Sequence, residues 1–233
     1  MALAETGYLD LTYIIEKRML CFWLKICQGR QSKLVYTMYA LQRKFFELND
    51  YDQNKPNWCK TIKGILDRCG MSNIWVSQKN INFDWFKASI DVKLRDIARQ
   101  NLIAEINRNT LCTNYRIFKL VITFESYLIN LEPVNRYNLA KFRCGNHRLP
   151  VSDRRYDPQQ AYRPCTKCNN GDLGDEFHYV LVCPFLSNIR TMYIKPYFYT
   201  RPNTLKFNQL FSLQSKTQLV KLVRFVKIIM DMF

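Results

Sequence analysis

Residues 165–184 read CTKCNNGDLGDEFHYVLVCP, and the fold has to arrange itself around what this stretch can hold. Cys165, Cys168, His178 and Cys183 follow one another as C-x2-C-x9-H-x4-C. Between the two halves, Asn169, Asn170, Gly171, Asp172 and Gly174 are turn formers that let the chain double back. Zinc accepts three thiolates and one imidazole in a tetrahedron, and four protein ligands leave no position open for water or substrate. The spacing therefore predicts a structural zinc site. From Glu176 onward a helix is expected, with His178 and Cys183 about a turn and a half apart and Pro184 bending the exit. Two other readings use the same residues. They are buried free thiols beside a core histidine, and a redox C-x-x-C, for which the accompanying βαβ pattern is missing.

Helical periodicity dominates the chain on both sides of that stretch. Residues 10–28 place Leu11, Ile14, Ile15, Met19, Phe22, Trp23 and Ile26 at three- and four-residue intervals. A second helix is expected over 33–48, with Leu34, Met38, Leu41 and Phe45 as its apolar face, and a third over 57–69, closed by Gly70 in the left-handed conformation. The longest covers 85–108, capped by Asp84 and lined by Phe86, Ile90, Leu94, Ile97, Ile103 and Ile106. Helices are also expected over 115–131, broken by Pro133, over 134–143, over 178–194, and from a Ser215 cap to the C-terminus. Period-two alternation is short wherever it occurs. The fold class is all-α: a multi-helix domain with a small CCHC zinc module and a C-terminal helix. The expected division is a helical region 1–140, a basic segment and zinc module 141–195, and a helical tail 196–233, with the joint near 140.

The 35 Lys and Arg against 19 Asp and Glu give a net charge of +16, an excess that calls for an anionic partner. Nucleic acid is the first candidate and an acidic membrane the second. No apolar run approaches about 18 residues, so no spanning helix is expected. Met1–Thr6 is short of apolar length and carries Glu5, so no secretory signal is expected. Nine cysteines, an odd number, suit a reducing intracellular compartment better than a disulfide framework. Cys21, Cys27, Cys59, Cys69, Cys112 and Cys144 are then core residues.

Catalytic signatures are missing. The sequence has no Asp-Asp pair of the kind a two-metal polymerase site uses, no G-x-x-x-x-G-K and no G-x-G-x-x-G. His147, in Cys144-Gly145-Asn146-His147, reads either as part of a second ligand pair or as a histidine in an exposed basic loop; no further spare ligand pair lies nearby, which favours the loop. The expectation is a non-catalytic protein.

The segment 141–167 concentrates Lys141, Arg143, Arg148, Arg154, Arg155, Arg163 and Lys167, with Phe142, Tyr156 and Tyr162 among them. Arginine forks match phosphate oxygens and tyrosine faces stack on unpaired bases, so these residues, with His147, form the expected nucleic-acid contact, RNA before DNA. One or two arginines would also offset the net charge of minus one left by three thiolates on a divalent zinc. In the last helix Lys216, Lys221, Arg224 and Lys227 oppose Leu219, Leu222, Val223, Val226 and Ile229. That pattern reads as a core-packed helix with a solvated basic face, or as a membrane-surface helix.

The run Lys141-Phe142-Arg143-Cys144-Gly145-Asn146-His147-Arg148-Leu149-Pro150, then Cys165-Thr166-Lys167-Cys168, Gly174-Asp175-Glu176-Phe177-His178-Tyr179 and Cys183-Pro184, resembles the zinc-binding C-terminal region of non-LTR retrotransposon reverse transcriptases. Weaker similarity runs through Glu5-Thr6-Gly7 with Trp23, Trp58 to Gly70, Ile74-Trp75 and Tyr115-Arg116-Ile117-Phe118. The resemblance implies a segment that follows the polymerase thumb and helps hold template RNA or target DNA during target-primed reverse transcription. It implies Cys165, Cys168, His178 and Cys183 as zinc ligands and the nucleus as the place of work; the residues alone say only nucleus or cytoplasm. The polymerase and endonuclease parts of such transposable elements are absent. Leu9-Asp10 and Asp153-Arg154-Arg155 depart from the family's Pro-Leu and Gly-Arg. The expectation is a zinc-finger-like, RNA-binding remnant of a mobile element or a piece retained by its host, with a protein-interaction module built on Phe177, Tyr179 and Phe185 as the competing reading.

Overall fold

The computed structural model describes residues 1–48, 57–78, 80–109, 113–151 and 163–233. In chain order its α-helices are α1 (Ala2–Thr6), α2 (Thr12–Cys27), α3 (Lys33–Glu47), α4 (Trp58–Arg68), α5 (Ser72–Ser77), α6 (Phe83–Arg108), α7 (Tyr115–Phe118), α8 (Tyr127–Asn130), α9 (Pro133–Arg143), α10 (Ser187–Tyr193), α11 (Pro196–Tyr199), α12 (Thr204–Phe211) and α13 (Lys216–Asp231). Among the described residues, β-structure is limited to two isolated antiparallel bridges, Thr6–Phe124 and Pro164–Leu173. The fold is all-α. No described helix is long and apolar enough to cross a membrane.

The chain forms two compact units, Leu9–Asn101 and a larger one made of Met1–Tyr8 with Leu102–Phe233. Residue 140, where a joint was expected, lies inside α9 between the buried side chains of Leu139 and Phe142. Residues 196–233 are not a separate tail either: α13 packs against α9 and α10, and α12 against α7.

In the 9–101 unit, side-chain caps decide where the helices begin. Ser32 accepts the Val35 N–H, Asn57 those of Cys59 and Lys60, and Asn82 that of Trp85 at 2.9 Å. Asn82 therefore takes the role expected of Asp84, which sits in the first turn of α6 where a carboxylate favours the helix dipole. Gly70 closes α4 with φ 63°, as its position suggested. At the centre Trp23 stacks on Trp75 with ring centroids 5.8 Å apart, and Leu20, Ile62, Leu66, Phe86 and Ile90 pack around them.

The inward faces of α2 and α3 differ from the expected stripes. Leu11 just ahead of α2 and Ile15 and Phe22 on it are exposed, while Leu20, Trp23 and Leu24 are buried. On α3 the stripe Leu34, Met38, Leu41 and Phe45 faces solvent, with exposures of 72, 55, 48 and 64%, and Tyr39 points inward with Val35 and Phe46 beside it. A buried indole N–H explains the choice. Trp23 Nε1 donates to Tyr39 Oη at 3.0 Å, and Tyr39 donates on to Gln78 Oε1 at 3.1 Å. Leaving that indole donor unpaired costs about 1–3 kcal/mol. Edge-on contacts of Tyr39 with Trp58 and of Phe46 with Trp75 then fill the same side.

The larger unit is built around a buried charge. Arg143, at the end of α9, is 1% exposed. Its guanidinium donates to Glu5 at 3.1 Å through both Nε and Nη2 and to the Phe211 carbonyl at 2.9 Å, and pairs with Glu125 at 3.3 Å. Tyr127 Oη also donates to Glu5, and Lys119 Nζ donates to Glu125 and to the Thr123 carbonyl. Two carboxylates thus meet two cations and every partner is hydrogen-bonded, the condition under which buried charge is tolerated. Gly7 lets α1 reach this site: its φ is 69°, and a Cβ there would stand 2.6 Å from the Phe124 nitrogen.

The same network breaks the helix expected over 115–131. Leu120–Phe124 is rich in β-branched residues, which favour extended backbone, and the segment bridges to Thr6 with the Glu125 N–H on the Glu5 carbonyl at 3.0 Å. Only α7 and α8 remain helical. Pro133 then starts α9 instead of ending a helix, as suits a residue with no N–H to lose at the first position. α13 packs inward as expected, burying Leu219, Leu222, Val223, Phe225, Val226 and Ile229, so its apolar face is not available to a membrane.

Replacing Arg143 by Ala leaves the buried Glu5 without its cation and Glu125 with Lys119 alone, and should lower unfolding free energy in urea by about 3–5 kcal/mol. Phe45→Gln, on the exposed stripe of α3, should change it by less than about 0.5 kcal/mol, whereas Ile62→Ala in the core beneath should cost about 2–5 kcal/mol.

Candidate metal centre

Each half of the C-x2-C-x9-H-x4-C pattern is shaped by its own local structure. In the first half the backbone folds into a knuckle. The Cys165 N–H donates to the Asp172 carbonyl at 2.7 Å, the Gly174 N–H to the Arg163 carbonyl at 2.9 Å, and the Lys167 N–H points at Cys165 Sγ at 3.4 Å. Gly174 is required by a close approach: a Cβ there would stand 3.0 Å from the Pro150 ring.

The second half departs from the helix expected over 178–194. His178–Val182 is a single π-turn, closed by the Cys183 N–H on the His178 carbonyl at 2.7 Å, and a 3-10 turn Pro184–Leu186 leads into α10. Proline supplies the reason, since Pro184 cannot donate and its ring would clash with the carbonyl four residues back. In a regular α-helix five residues turn through about 500°, which would leave His178 and Cys183 on different faces. The i to i−5 closure brings them to the same side.

Their ligand atoms, with those of Cys165 and Cys168, all lie within 4.8 Å of one another. Cys165 Sγ and Cys183 Sγ are 3.8 Å apart, and Cys168 Sγ is 3.4 Å from His178 Nε2. A tetrahedron with Zn–S of about 2.3 Å and Zn–N of about 2.05 Å has S–S edges of about 3.8 Å and S–N edges of about 3.6 Å. The cluster is therefore of the size and composition that a zinc ion fits, and the ion would join the knuckle to the π-turn.

The surroundings agree with that donor set. Burial lowers the His178 pKa, keeping the imidazole neutral as a ligand must be. His178 Nδ1 is buried without a hydrogen bond and faces the Asp172 carboxylate at 3.4 Å, the side on which metal-bound histidines find their orienting acceptor. Burial raises the Cys165 thiol, but hydrogen bonds from Tyr179 and from the Lys167 and Cys168 backbone outweigh it and leave the pKa lowered. Burial, with the Cys165 sulfur alongside, pushes Cys183 up to about 12. A divalent cation among the four would make every sulfur a thiolate at neutral pH.

Three supports around the cluster carry no signal in the C-x2-C-x9-H-x4-C pattern itself. Arg190 on α10 is buried and donates to the carbonyls of Val180 and Cys183, both at 2.8 Å, and to that of Tyr179. The Val180 carbonyl is the acceptor that Pro184 strips of its helical donor, and the guanidinium also places positive charge beside the cysteine sulfurs. An arginine seven residues after a Cys-Pro is the one clue the sequence offers to this clamp. Asp175 Oδ1 accepts the His178 N–H at 2.8 Å, while Asn114 Nδ2 donates to Asp175 and, at 2.6 Å, to Glu176. His147 Nε2 meets Glu176 Oε1 at 2.7 Å; its Nδ1 accepts from the Leu149 N–H, so Nε2 carries the proton. Finally Phe233 lies against Tyr179, ring centroids 5.0 Å apart, with Lys167 Nζ 4.9 Å over its ring.

The expected nucleic-acid contacts are divided by these placements. Arg143 and His147 are corrected: both are buried, Arg143 spent on Glu5 with Glu125 and His147 on Glu176, because buried carboxylates need hydrogen-bond donors or cations against them. His147 is thus neither a metal ligand nor part of an exposed loop. Arg148 is exposed, and Lys141, Arg163 and Lys167 are half-buried. Arg154 and Arg155, with Tyr156 and Tyr162, lie outside the described residues. Of the aromatic anchors of the competing reading, Tyr179 is fully buried, Phe177 packs edge-on against Phe207, and Phe185 is exposed. Cys27, Cys59 and Cys69 are buried, Cys21 and Cys144 half-buried, and Cys112 lies outside the described residues.

Comparison of the chain with family models, with curated proteins and with solved structures finds no match.

Cys168→Ser should release zinc to a colorimetric chelator at neutral pH and lower the melting temperature, because structural zinc contributes folding free energy directly. Arg190→Leu keeps all four ligands but removes the guanidinium from the Val180, Tyr179 and Cys183 carbonyls, and should give the same release at a lower chelator concentration than the unaltered chain requires. Retained zinc in both variants would refute the ligand assignment.

Proposed function

We propose that this protein is a non-catalytic, zinc-stabilised nucleic-acid-binding protein, RNA before DNA, of the kind implied by its resemblance to the C-terminal region of non-LTR retrotransposon reverse transcriptases, and that it works in the nucleus. The observation that carries the reading is unpaired cationic surface. On α13 Lys221, Arg224 and Lys227 are exposed and make no ion pair among the described residues, on a helix whose other face is firmly packed. Arg148 is exposed in the same unit. A rigid helix carrying unpaired cations matches a phosphate chain better than it matches a neutral partner. The cluster supports a structural role for the metal, since its four protein ligands would fill a zinc ion's tetrahedral shell.

The α3 stripe favours a second reading. Leu34, Met38, Leu41, Phe45 and Leu48 are spaced four, three, four, three, the seam of a helix that pairs with another helix, and all are exposed. That is a protein-docking pattern, independent of the basic surface on α13.

Fluorescence anisotropy of the zinc-loaded chain against a structured RNA, a single-stranded DNA and a duplex DNA tests the leading reading. With about six phosphates contacted, affinity for a single strand should fall about 100-fold or more between 50 and 200 mM salt. Arg224→Gln with Lys227→Gln should weaken binding to every sequence alike and reduce the salt slope by about two. Binding no tighter than that of a basic protein of equal charge would overturn it and leave docking through α3 as the reading to pursue.

A further inference from the structure

Between α10, α11 and the start of α13 the larger unit contains a cavity of about 430 Å³, a size at which small-ligand sites occur. Its floor is apolar and partly aromatic: Ile194, Phe198 and Leu210 are buried, and Tyr193 is half-buried with its ring stacked on Phe225. Its rim is cationic. Lys195 and Lys221 stand on opposite elements, both exposed and neither in an ion pair among the described residues, with the Thr217 hydroxyl near them. No carboxylate lines the cavity among the described residues.

An apolar floor beneath two ammonium groups selects a ligand that is flat and apolar at one end and anionic at the other. A fatty acid supplies the anion but no flat face to set against Phe198 and Tyr193. A free phosphate leaves the floor uncovered. An unpaired nucleotide meets both demands, its base against Phe198 and Tyr193 and its phosphate between the lysines. Position adds an argument. Lys221 is also the first exposed cation on α13 that makes no ion pair among the described residues, and Arg224 follows one turn on, so a strand that seats a nucleotide here runs directly onto that helix.

We propose that this cavity is the subsite that takes one unpaired nucleotide of a single-stranded RNA, with Lys195 and Lys221 holding its phosphate and Phe198 and Tyr193 facing its base. The proposal rests on the nucleic-acid reading above and adds to it a place and a strand state.

The test uses the full zinc-loaded chain and a twelve-nucleotide single-stranded RNA carrying one central 4-thiouridine. After near-ultraviolet irradiation the cross-linked peptides are mapped, while anisotropy reports total binding. Cross-links are expected in the peptides covering 191–221. Lys195→Gln with Lys221→Gln should remove them and reduce the salt slope by about two. Lys87→Gln with Lys93→Gln, a charge-matched pair exposed on α6, should leave the cross-links in place. RNA that binds but cross-links only elsewhere, or equal losses in the two double variants, overturns the subsite while the nucleic-acid reading stands. Absence of salt-sensitive binding altogether overturns both.

Discussion

The larger unit depends on where a single guanidinium is placed. Arg143 has lost essentially all contact with water, and an isolated charge in that position would cost several kcal/mol. The cost is met by drawing in Glu5, 138 positions away in sequence, together with Glu125 and the Phe211 carbonyl. Those partners fix α1, the segment between α7 and α8, and the end of α12 against α9. Phe118 and Tyr127 complete the enclosure by presenting their ring faces to the cation at 5.4 and 5.3 Å. The backbone details nearby follow from it. Gly7 admits the close crossing of Phe124, and the extended stretch before Glu125 replaces what residue periodicity alone would make a helix.

The metal centre follows the same logic at smaller scale. A proline after the last ligand forbids a regular helix there, the π-turn that results aligns His178 with Cys183, and the carbonyls left over are collected by Arg190. Asn114, Asp175, Glu176 and His147 brace the turn from behind. The zinc ligands are therefore held by groups that hydrogen-bond to one another, so the site is largely shaped by the protein and the metal would close it. With three thiolates on a divalent ion the centre carries a net negative charge, and Arg190 is the nearest buried cation to balance it.

The distribution of positive charge bears on function in a way its total does not. Arginines and lysines that the sequence groups together have different fates in the fold. Arg143 is internal and structural, Arg190 is internal and serves the metal centre, and Lys119 is internal and serves Glu125. Lys221, Arg224 and Lys227 on α13, with Lys195 and Arg148, are among the exposed cations of the larger unit that make no ion pair among the described residues. A rigid row beside a nucleotide-sized cavity is a more specific proposition than a basic segment, because it predicts which strand state and which lysines matter.

Some of this was legible in the residues alone. The ligand set follows from spacing and donor chemistry, and the all-α class follows from periodicity, because both are local properties that neighbours a few positions apart can express. The ends of α3, α4 and α13 and the left-handed close at Gly70 were readable for the same reason. Which way an amphipathic helix faces was not. The α3 stripe of Leu34, Met38, Leu41 and Phe45 has the right period for a core face, yet a hydrogen bond between Trp23 and Tyr39 turned it outward, and periodicity carries no information about a donor sixteen residues away that must be satisfied. Nor could spacing show that Arg143 and His147 are buried, since their partners Glu5 and Glu176 are brought to them only by the folded chain. Local sequence thus determined which elements form and what the four ligands can bind; tertiary structure alone decided which charges are withdrawn from the surface, because the desolvation of a charge is settled by distant groups.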